Sequence, residues 1–460
     1  MNGLTAKEFY QRRDDRTDRV TASRDYHRLH SRIVAAPETV RTFAGQVQLL
    51  LAANLLARWC RRVEFGFSDA PLAERLRVGD ATTLHARIAA EVHQADPFGA
   101  FSFAAARSPN VRYTLKVGGH SVGESVDFSI DAGAWDVRAG VGNRVFGPTE
   151  TGDNPVGPAF AACVGVADAF KVATGLPGHF RVRDLTLCLF DLHLGGIACS
   201  AAVPLVHAPL KMGNAQIVGL GSVGSAVAYL LGMLPVEGLI WLIDHDHVKI
   251  ENLNRSPLFG VADIGYPKVE VAHRHLRHAV PTAPFPGRYG EFIDEYGRKP
   301  GDIDLILPLA NEFGVRATIE YNFPPLQIYG TTAASGVVNY HRHIPLSEDC
   351  SLCRFPISAE EAEARLLCSV ASVATALGEQ IDAALPFVST AAASLVVADL
   401  MRVQMPNYPF LPNFADIDML GPLEFIASYQ RRPRPECLCA SRSPAIHRNY
   451  IHPTAFSGTL

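Results

Sequence analysis

Residues 216–268 of this 460-residue chain carry the residue types that nucleotide chemistry needs. The first of two apolar runs is followed by a glycine loop that contains Gly219, Gly221 and Gly224. The second run is followed by two acids, Asp244 and Asp246. Glycines at these spacings let the backbone approach a phosphate group, which then lies at the positive end of the next helix. The pattern predicts a nucleotide-binding site.

Two cations that follow the acidic pair indicate chemistry on the phosphates of that nucleotide. Asp244 is placed to hydrogen-bond a ribose hydroxyl, and up to that residue a dehydrogenase fits equally well. Hydride transfer does not need Arg255 and Lys268, whereas attack on the α-phosphate of ATP needs cations where negative charge builds up on pyrophosphate. We predict an adenylation site; a dinucleotide-binding Rossmann domain and a degenerate copy that binds nothing are the alternatives.

The elements that position these residues alternate along the chain. Strand-like runs at 304–309, 326–330 and 337–344 alternate with helix-like runs at 268–277 and 313–320. This order predicts an α/β fold with a mostly parallel sheet and helices on both of its faces.

Three motifs resemble those of the ThiF/MoeB-type adenylyltransferases and of the enzymes that activate ubiquitin and its relatives: Asp244-His-Asp246, Asn252-Leu-Asn-Arg255 and Gly265-Tyr-Pro-Lys268. The resemblance implies that Asp244 holds the ribose of ATP, and that Asn252 and Arg255 hold the phosphates. It also implies that Lys268 neutralises the leaving pyrophosphate.

The resemblance implies a magnesium ion too, with an aspartate ligand just after the fourth strand. This chain has Asn311 there, followed by Glu312. An amide oxygen can ligate Mg²⁺ but brings no charge. We expect Asn311 to hold the ion more weakly than an aspartate would, unless Glu312 or Asp246 helps.

Four of the nine cysteines form two close pairs that are far apart in sequence: Cys350, Cys353, Cys437 and Cys439. Such pairs can complete a tetrahedral site when the chain folds back, and the resemblance implies a structural zinc ion there. The second pair has one intervening residue where the family has two, which strains the ligand geometry slightly. An apo remnant of the site and a redox pair at Cys350 and Cys353 are the alternatives.

The N-terminal half resembles a degenerate repeat of the C-terminal half. Residues 162–171 parallel residues 393–402, while residues 44–51 and 63–67 stand where a glycine loop, a helix and a second strand belong. One of the three glycines survives, and Phe67 falls near the expected position of the ribose acid. We predict two Rossmann-like ThiF-type adenylation domains in one chain: a degenerate one that does not bind ATP and an active one.

Three segments follow from this arrangement: an inactive adenylation domain at 1–204, an active one with the zinc site at 205–441, and a C-terminal tail at 442–460. In similar enzymes the inactive half lends an arginine, from an N-terminal Tyr-x-Arg motif, to the ATP. The match of Tyr26-His-Arg28 to that motif implies a catalytic role for Arg28. A solvated helix arginine is the alternative.

Cys368 lies fifteen residues after Cys353, close to where the family's acceptor cysteine lies. A thiolate there could attack a carboxyl-adenylate and carry the acyl group as a thioester. A buried cysteine without such a role is the alternative.

As a whole, the resemblance implies an activating enzyme for a ubiquitin-like protein that ends in glycine. The enzyme would adenylate that carboxylate, take the acyl group on Cys368 and pass it to a conjugating enzyme, as in some bacterial antiphage pathways. A sulfur-carrier-protein adenylyltransferase shares the ATP-site residues but lacks the fused inactive half, and a non-catalytic scaffold is a third interpretation. One chain suffices for one active site, which leaves a homodimer open.

Charge and hydropathy limit the partners and the location. A net charge of -4 gives no reason to expect nucleic acid or an anionic membrane as a partner. No apolar run in the sequence reaches the length expected of a membrane span, and the first residues lack the features of a signal peptide. We expect a cytoplasmic protein.

Overall fold

The structure is a computed structural model that describes residues 4–21, 23, 25–148, 152–195, 209–296, 303–310, 313–321, 326–333, 335–345, 347–354, 373–374, 380–381, 385–405 and 412–440. The expected domain boundary at 204, the tail at 442–460, Asn311 and Cys368 lie outside these ranges.

The strands are β1 His30–Ala35, β2 Arg62–Gly66, β3 Ala100–Phe103, β4 Tyr113–Val117, β5 Phe128–Ala132, β6 Asp136–Val141, β7 Asp184–Cys188, β8 His193–Leu194, β9 Leu210–Val218, β10 Val236–Ile243, β11 Thr282–Phe285, β12 Leu305–Pro308, β13 Leu326–Thr332, β14 Val337–His343, β15 Val373–Ala374, β16 Gln380–Ile381, β17 Phe414–Asp418 and β18 Ala427–Tyr429.

Two eight-stranded sheets share one topology. The N-terminal sheet has the order β3-β2-β1-β4-β5-β6-β7-β8, and the C-terminal sheet has the order β11-β10-β9-β12-β13-β14-β17-β18. In each sheet the first five strands are parallel and the last three run antiparallel to their neighbours. The strands β15 and β16 form a separate pair. The repeated topology confirms the predicted fold of two Rossmann-like halves.

The α-helices are α1 Ala6–Arg13, α2 Asp15–Asp18, α3 Pro37–Val40, α4 Phe43–Ala57, α5 Leu84–Ala95, α6 Val156–Ala173, α7 Ser222–Leu231, α8 Lys268–Leu276, α9 Tyr289–Tyr296, α10 Phe313–Tyr321, α11 Ser351–Arg354 and α12 Pro386–Arg402.

The two halves share one hydrophobic core, in which α6 packs against both α4 and α12. Both α6 and α12 are buried around almost their whole circumference, which is why their sequences lack a polar face. By length and composition α6 could span a membrane, contrary to the expectation from sequence. However, 89% of that apolar stretch is buried inside the fold.

The ends of α6 and α12 make reciprocal contacts between the halves. Lys171 in the last turn of α6 donates a hydrogen bond from Nζ to the carbonyl oxygen of Gly421, at 2.6 Å. Arg402 in the last turn of α12 donates from Nη1 to the carbonyl oxygen of Leu189, at 3.2 Å. These two residues end the stretches that parallel each other in sequence. Each half therefore satisfies backbone carbonyls of the other.

Candidate active site

The glycine loop joins β9 to α7 and faces an open cavity of about 270 Å³. Gly219 has a φ of +94°, and a Cβ atom there would lie 2.5 Å from the backbone nitrogen of Ala310. A Cβ atom at Gly224 would lie 2.0 Å from the carbonyl oxygen of Gly219. A Cβ atom at Gly221 would meet no heavy atom within 4 Å, because Gly221 lines the cavity. Two glycines therefore allow tight backbone packing, and the third leaves room for a ligand.

Asp244 follows β10 and holds the glycine loop in place. One carboxylate oxygen accepts a hydrogen bond from the backbone N–H of Leu220 at 2.5 Å, and the other accepts one from the N–H of Asp246 at 2.8 Å. Each carboxylate oxygen has a second lone pair. Asp244 lines the cavity, so this residue can brace the loop and still accept a ribose hydroxyl.

Lys268 begins α8 and points into the cavity towards Asp246. Its Nζ lies 2.8 Å from a carboxylate oxygen of Asp246, and its side chain is 6% exposed. Partial burial opposes ionisation of Asp246, but the hydrogen bond and charge of Lys268 outweigh it and lower the pKa of that carboxyl below its ordinary value. The ion pair fixes a buried ammonium group beside the glycine loop.

Arg255 and Asn252, which were expected to hold phosphates together, lie in different surroundings. Arg255 lines the cavity, and its Nη1 donates to Asn254 Oδ1 at 3.2 Å and to the carbonyl oxygen of Glu251. The Asn252 side chain instead accepts a hydrogen bond from the backbone N–H of Lys249 at 2.8 Å, and it does not line the cavity. In this structure Asn252 closes the turn that presents Arg255.

Arg28 lies away from the cavity, and Arg16 lies at it. The Tyr26 ring is fully buried and anchors its turn, so that Arg28 faces solvent with a side chain that is 74% exposed and 3.1 Å from Asp25. Arg16 of α2 lines the cavity. The N-terminal half does place an arginine at the cavity of the C-terminal half, and among the described residues that arginine is Arg16 rather than the expected Arg28.

Further residues at the cavity follow β11, lie in α10 or lie at the end of β13, and they were not singled out in the sequence. They are Arg288, Tyr289, Arg316, Thr331 and Thr332. The carboxyl ends of parallel strands meet at one edge of a sheet, where ligands bind in such folds. Position after a strand was the available signal, but the sequence contains many such polar residues. With Arg16, Arg255 and Lys268, five cationic side chains line this cavity.

Arg58 of α4 holds the segment that carries Arg255. Its buried guanidinium donates to the carbonyl oxygens of Leu253, Pro257 and Phe259 at 2.6, 2.8 and 3.2 Å. Burial lowers the pKa of Arg58 to about 9. The N-terminal half thus sets the position of a loop in the candidate active site.

A magnesium ion at the cavity would need oxygen ligands. The carboxylates that the described residues bring to the cavity belong to Asp244 and Asp246. Asp246 is 44% exposed and can offer an oxygen to a hard cation. Asn311, the expected ligand, lies outside the described residues, as does Cys368.

The four paired cysteines meet in one buried cluster. The Sγ atoms are 3.9 Å apart for Cys350 and Cys353, 3.5 Å for Cys350 and Cys437, and 3.5 Å for Cys353 and Cys439. Four sulfurs at Zn–S bonds of about 2.3 Å in a tetrahedron are separated by roughly 3.8 Å. All four sulfurs lie within 4.8 Å of one another, so the set fits a tetrahedral zinc ion despite the short second pair.

A model of the ThiF family matches residues 207–439, which is about half of the chain and includes the glycine loop, Lys268 and all four paired cysteines.

Three curated proteins are similar to parts of the chain. The NEDD8-activating enzyme E1 catalytic subunit of Saccharomyces cerevisiae is 26% identical over 168 residues, 34% of this chain and 56% of that protein. The molybdopterin-synthase adenylyltransferase of Escherichia coli is 40% identical over 72 residues, 16% of this chain and 28% of that protein. The uncharacterized protein y4jF of Sinorhizobium fredii is 29% identical over 147 residues, 31% of this chain and 28% of that protein. The chain thus spans between 28% and 56% of these relatives.

Among solved structures, E. coli MccB with ATP aligns with 51% of this chain and 68% of its own chain, at 19% identity and a TM-score of 0.38.

Proposed function

Because this chain belongs to the ThiF family, we propose that it uses ATP to adenylate the C-terminal carboxylate of a ubiquitin-like protein. The observation that carries the proposal is the Lys268–Asp246 ion pair beside the glycine loop, in a cavity lined by five cationic side chains. Such a concentration of cations suits a triphosphate and exceeds what a dinucleotide diphosphate needs.

The chemistry is an in-line displacement at the α-phosphorus. A carboxylate oxygen of the partner forms a bond to that phosphorus, and the bond from phosphorus to the bridging oxygen of pyrophosphate breaks. Negative charge then moves onto the leaving pyrophosphate, where cations held in advance by the protein lower the barrier. Lys268, Arg255 and Arg16 would supply that charge, while Asp244 would orient the ribose.

Magnesium, when bound, would neutralise phosphate charge, with Asp246 and Asn311 as its proposed ligands. Lys268 would also neutralise phosphate charge, because its ammonium group is held against Asp246 before any ligand binds. A structural zinc ion on Cys350, Cys353, Cys437 and Cys439 would tie the segment after β14 to the end of the C-terminal half.

The fused arrangement favours the activating-enzyme version of this chemistry. Two halves with one topology lie in one chain, and the N-terminal half supplies Arg16 to the cavity of the other. After adenylation, the Cys368 thiolate would attack the acyl carbon, AMP would leave, and the thioester would pass to a conjugating enzyme. Similarity to the NEDD8-activating subunit supports this version. We propose a cytoplasmic location and a setting such as antiphage defence, with the inactive domain at 1–204 and the active one at 205–441.

A sulfur-carrier-protein adenylyltransferase is the second candidate, and similarity to the E. coli molybdopterin-synthase adenylyltransferase favours it. It requires the same ATP cavity but no thioester between the enzyme and its partner.

The test combines the protein with magnesium-ATP and the ubiquitin-like protein encoded nearest to it, and records intact masses. An AMP adduct on the partner, with a thiol-sensitive enzyme–partner adduct that disappears in Cys368→Ala, supports the activating enzyme. An AMP adduct without any thioester supports the sulfur-carrier version. ATP binding with neither product, across every ubiquitin-like protein of the genome, contradicts both and leaves a non-catalytic scaffold.

A further inference from the structure

The inactive half contains a cavity of its own at the position that corresponds to the nucleotide cavity. It is formed by the segment from α3 into α4 and by the ends of β4 and β5, and its volume is about 530 Å³. Glu38, Gln48, His120 and Asp131 are among the residues that line it. Since β4 and β5 correspond to β12 and β13 in the shared strand order, this cavity lies at the same topological switch point.

The charge of this second cavity is opposite to that of the first. Its carboxylates belong to Glu38, Asp131 and Asp153, and no lysine or arginine of the described residues lines it. The nearby Lys116 ammonium group is already bound to the carbonyl oxygens of His120 and Arg144. A triphosphate would face three carboxylates here, with no lysine or arginine of the described lining to bind it, which fits the prediction that this half does not bind ATP.

Two buried side chains of the cavity have oxygen atoms without a hydrogen-bond partner among the described residues. Gln48 is 1% exposed, and its Nε2 donates back to the carbonyl oxygen of Ala44 at 3.2 Å, while its Oε1 has no partner. The hydroxyl oxygen of Thr39, which is 5% exposed, also has none. Buried acceptors without a donor cost free energy, so native proteins rarely keep them without a reason. Here a ligand that donates hydrogen bonds would supply the reason.

Asp131 adds a buried charge to these acceptors. The residue is 7% exposed, and its carboxyl lies beside Gly119 at the floor of the cavity. Burial raises the pKa of this carboxyl above its ordinary value, and Arg138 is the strongest of the charges that oppose the shift. Arg138 itself donates to the carbonyl oxygen of Gly147 at 2.6 Å. A positive group in the cavity would stabilise the ionised carboxylate.

A metal ion fits this cavity less well than an organic cation does. Among the described residues, the four paired cysteines form the group of potential metal ligands whose donor atoms come together. The acids of the second cavity do not meet around a common point in that way, whereas a ligand with several separated N–H donors can reach acceptors spread over its wall.

We propose that the cavity of the inactive half binds a small organic cation with an ammonium or guanidinium group, held by Asp131 and by the free oxygen of Gln48. The site is distinct from the nucleotide cavity and does not depend on the proposed adenylation. In this proposal, the cavity of a degenerate nucleotide site persists but binds a cation instead of an anionic nucleotide.

The test is isothermal titration calorimetry of the full chain with agmatine, putrescine and arginine as probes. We expect at least one probe to bind saturably, and Asp131→Asn to weaken it about tenfold, as loss of a charge-assisted hydrogen bond does. Asp80→Asn, an exposed acid outside the cavity, should leave binding unchanged. Gln48→Met should weaken binding less than Asp131→Asn does.

Circular dichroism and thermal unfolding of each variant separate loss of the site from loss of the fold, and neither measurement relies on ATP binding. Absence of saturable binding by all three probes would overturn the proposal. So would equal binding of a probe by the wild type and a folded Asp131→Asn protein, or competition of ATP for the same site.

Discussion

Lys268 and Asp246 line the nucleotide cavity and form an ion pair whose nitrogen and oxygen atoms are 2.8 Å apart, although the two residues are 22 positions apart in the sequence. The backbone N–H of Lys268 also donates to the carbonyl oxygen of Asp246, at 3.0 Å. This double connection fixes the start of α8 against the segment that follows β10. A cation fixed in this way needs little rearrangement when charge develops on pyrophosphate.

Arg16 should matter to adenylation, and Arg28 should not. Arg16→Ala removes a cation that lines the nucleotide cavity, so kcat/KM for ATP should fall at least about tenfold. Arg28→Ala is the matched control, because that side chain is exposed and lies away from the cavity. Pyrophosphate release measured with both variants checks this. Equal loss in both, or loss only in Arg28→Ala, would contradict the position of α2 at the cavity.

The two arginines also show which part of the site could not be predicted from the sequence. The glycine loop, Asp244 and Lys268 could be predicted because they are local to one strand–helix unit, and their spacing reflects backbone geometry. Arg16 reaches the cavity through the packing of the N-terminal half on the C-terminal half, at a separation of about two hundred residues that no local pattern records. Asn252 differs in another way, because it belongs to a recognised motif but its side chain closes a turn in this structure.

The fold itself was more predictable than the site. The apolar runs at 304–309 and 337–344 became β12 and β14, and the parallel between residues 162–171 and 393–402 became the paired helices α6 and α12. A sequence repeat extends over many residues, so it stays recognisable after many of those residues have been substituted. The acidic cavity of the N-terminal half could not be predicted, because its acids come from three separate segments that only the tertiary fold brings together.

Gly221 should be required for ATP binding and not for folding. A methyl group there meets no protein atom and enters the cavity, so Gly221→Ala should weaken ATP about tenfold by keeping phosphate away from the backbone. Gly123→Ala is the matched control, since a Cβ atom there also meets no heavy atom within 4 Å but lies outside the cavity. Calorimetric titration with ATP measures both. Unchanged affinity in Gly221→Ala would place the phosphates elsewhere.

Arg58 should stabilise the protein and position the loop that carries Arg255. Arg58→Leu leaves three buried carbonyl groups without their donor, and we expect a loss of about 3 kcal/mol in the free energy of unfolding. The exposed Arg41→Leu should change stability by less than about 0.5 kcal/mol. Urea unfolding gives these values. In the folded variant the KM for ATP should rise; an unchanged KM would reduce Arg58 to a purely structural residue.

The cysteine cluster should hold zinc at a fixed stoichiometry. Cys437→Ala removes one of four converging sulfurs, so the purified variant should lose most of its zinc and unfold at a lower temperature. Cys60→Ala, a buried cysteine outside the cluster, should keep its zinc. Elemental analysis by mass spectrometry measures the metal. A wild-type protein without zinc, after purification in its presence, would favour the apo or redox alternatives.

The most direct test of adenylation is ATP–pyrophosphate exchange in the presence of the ubiquitin-like partner, compared between the wild type, Lys268→Ala and the exposed Lys211→Ala. Exchange requires reversible formation of the adenylate, so it reports the proposed step alone. We expect the wild type and Lys211→Ala to exchange at equal rates and Lys268→Ala to be slower by on the order of a hundredfold or more. Exchange that survives intact in Lys268→Ala would contradict the assignment of this cavity as the adenylation site.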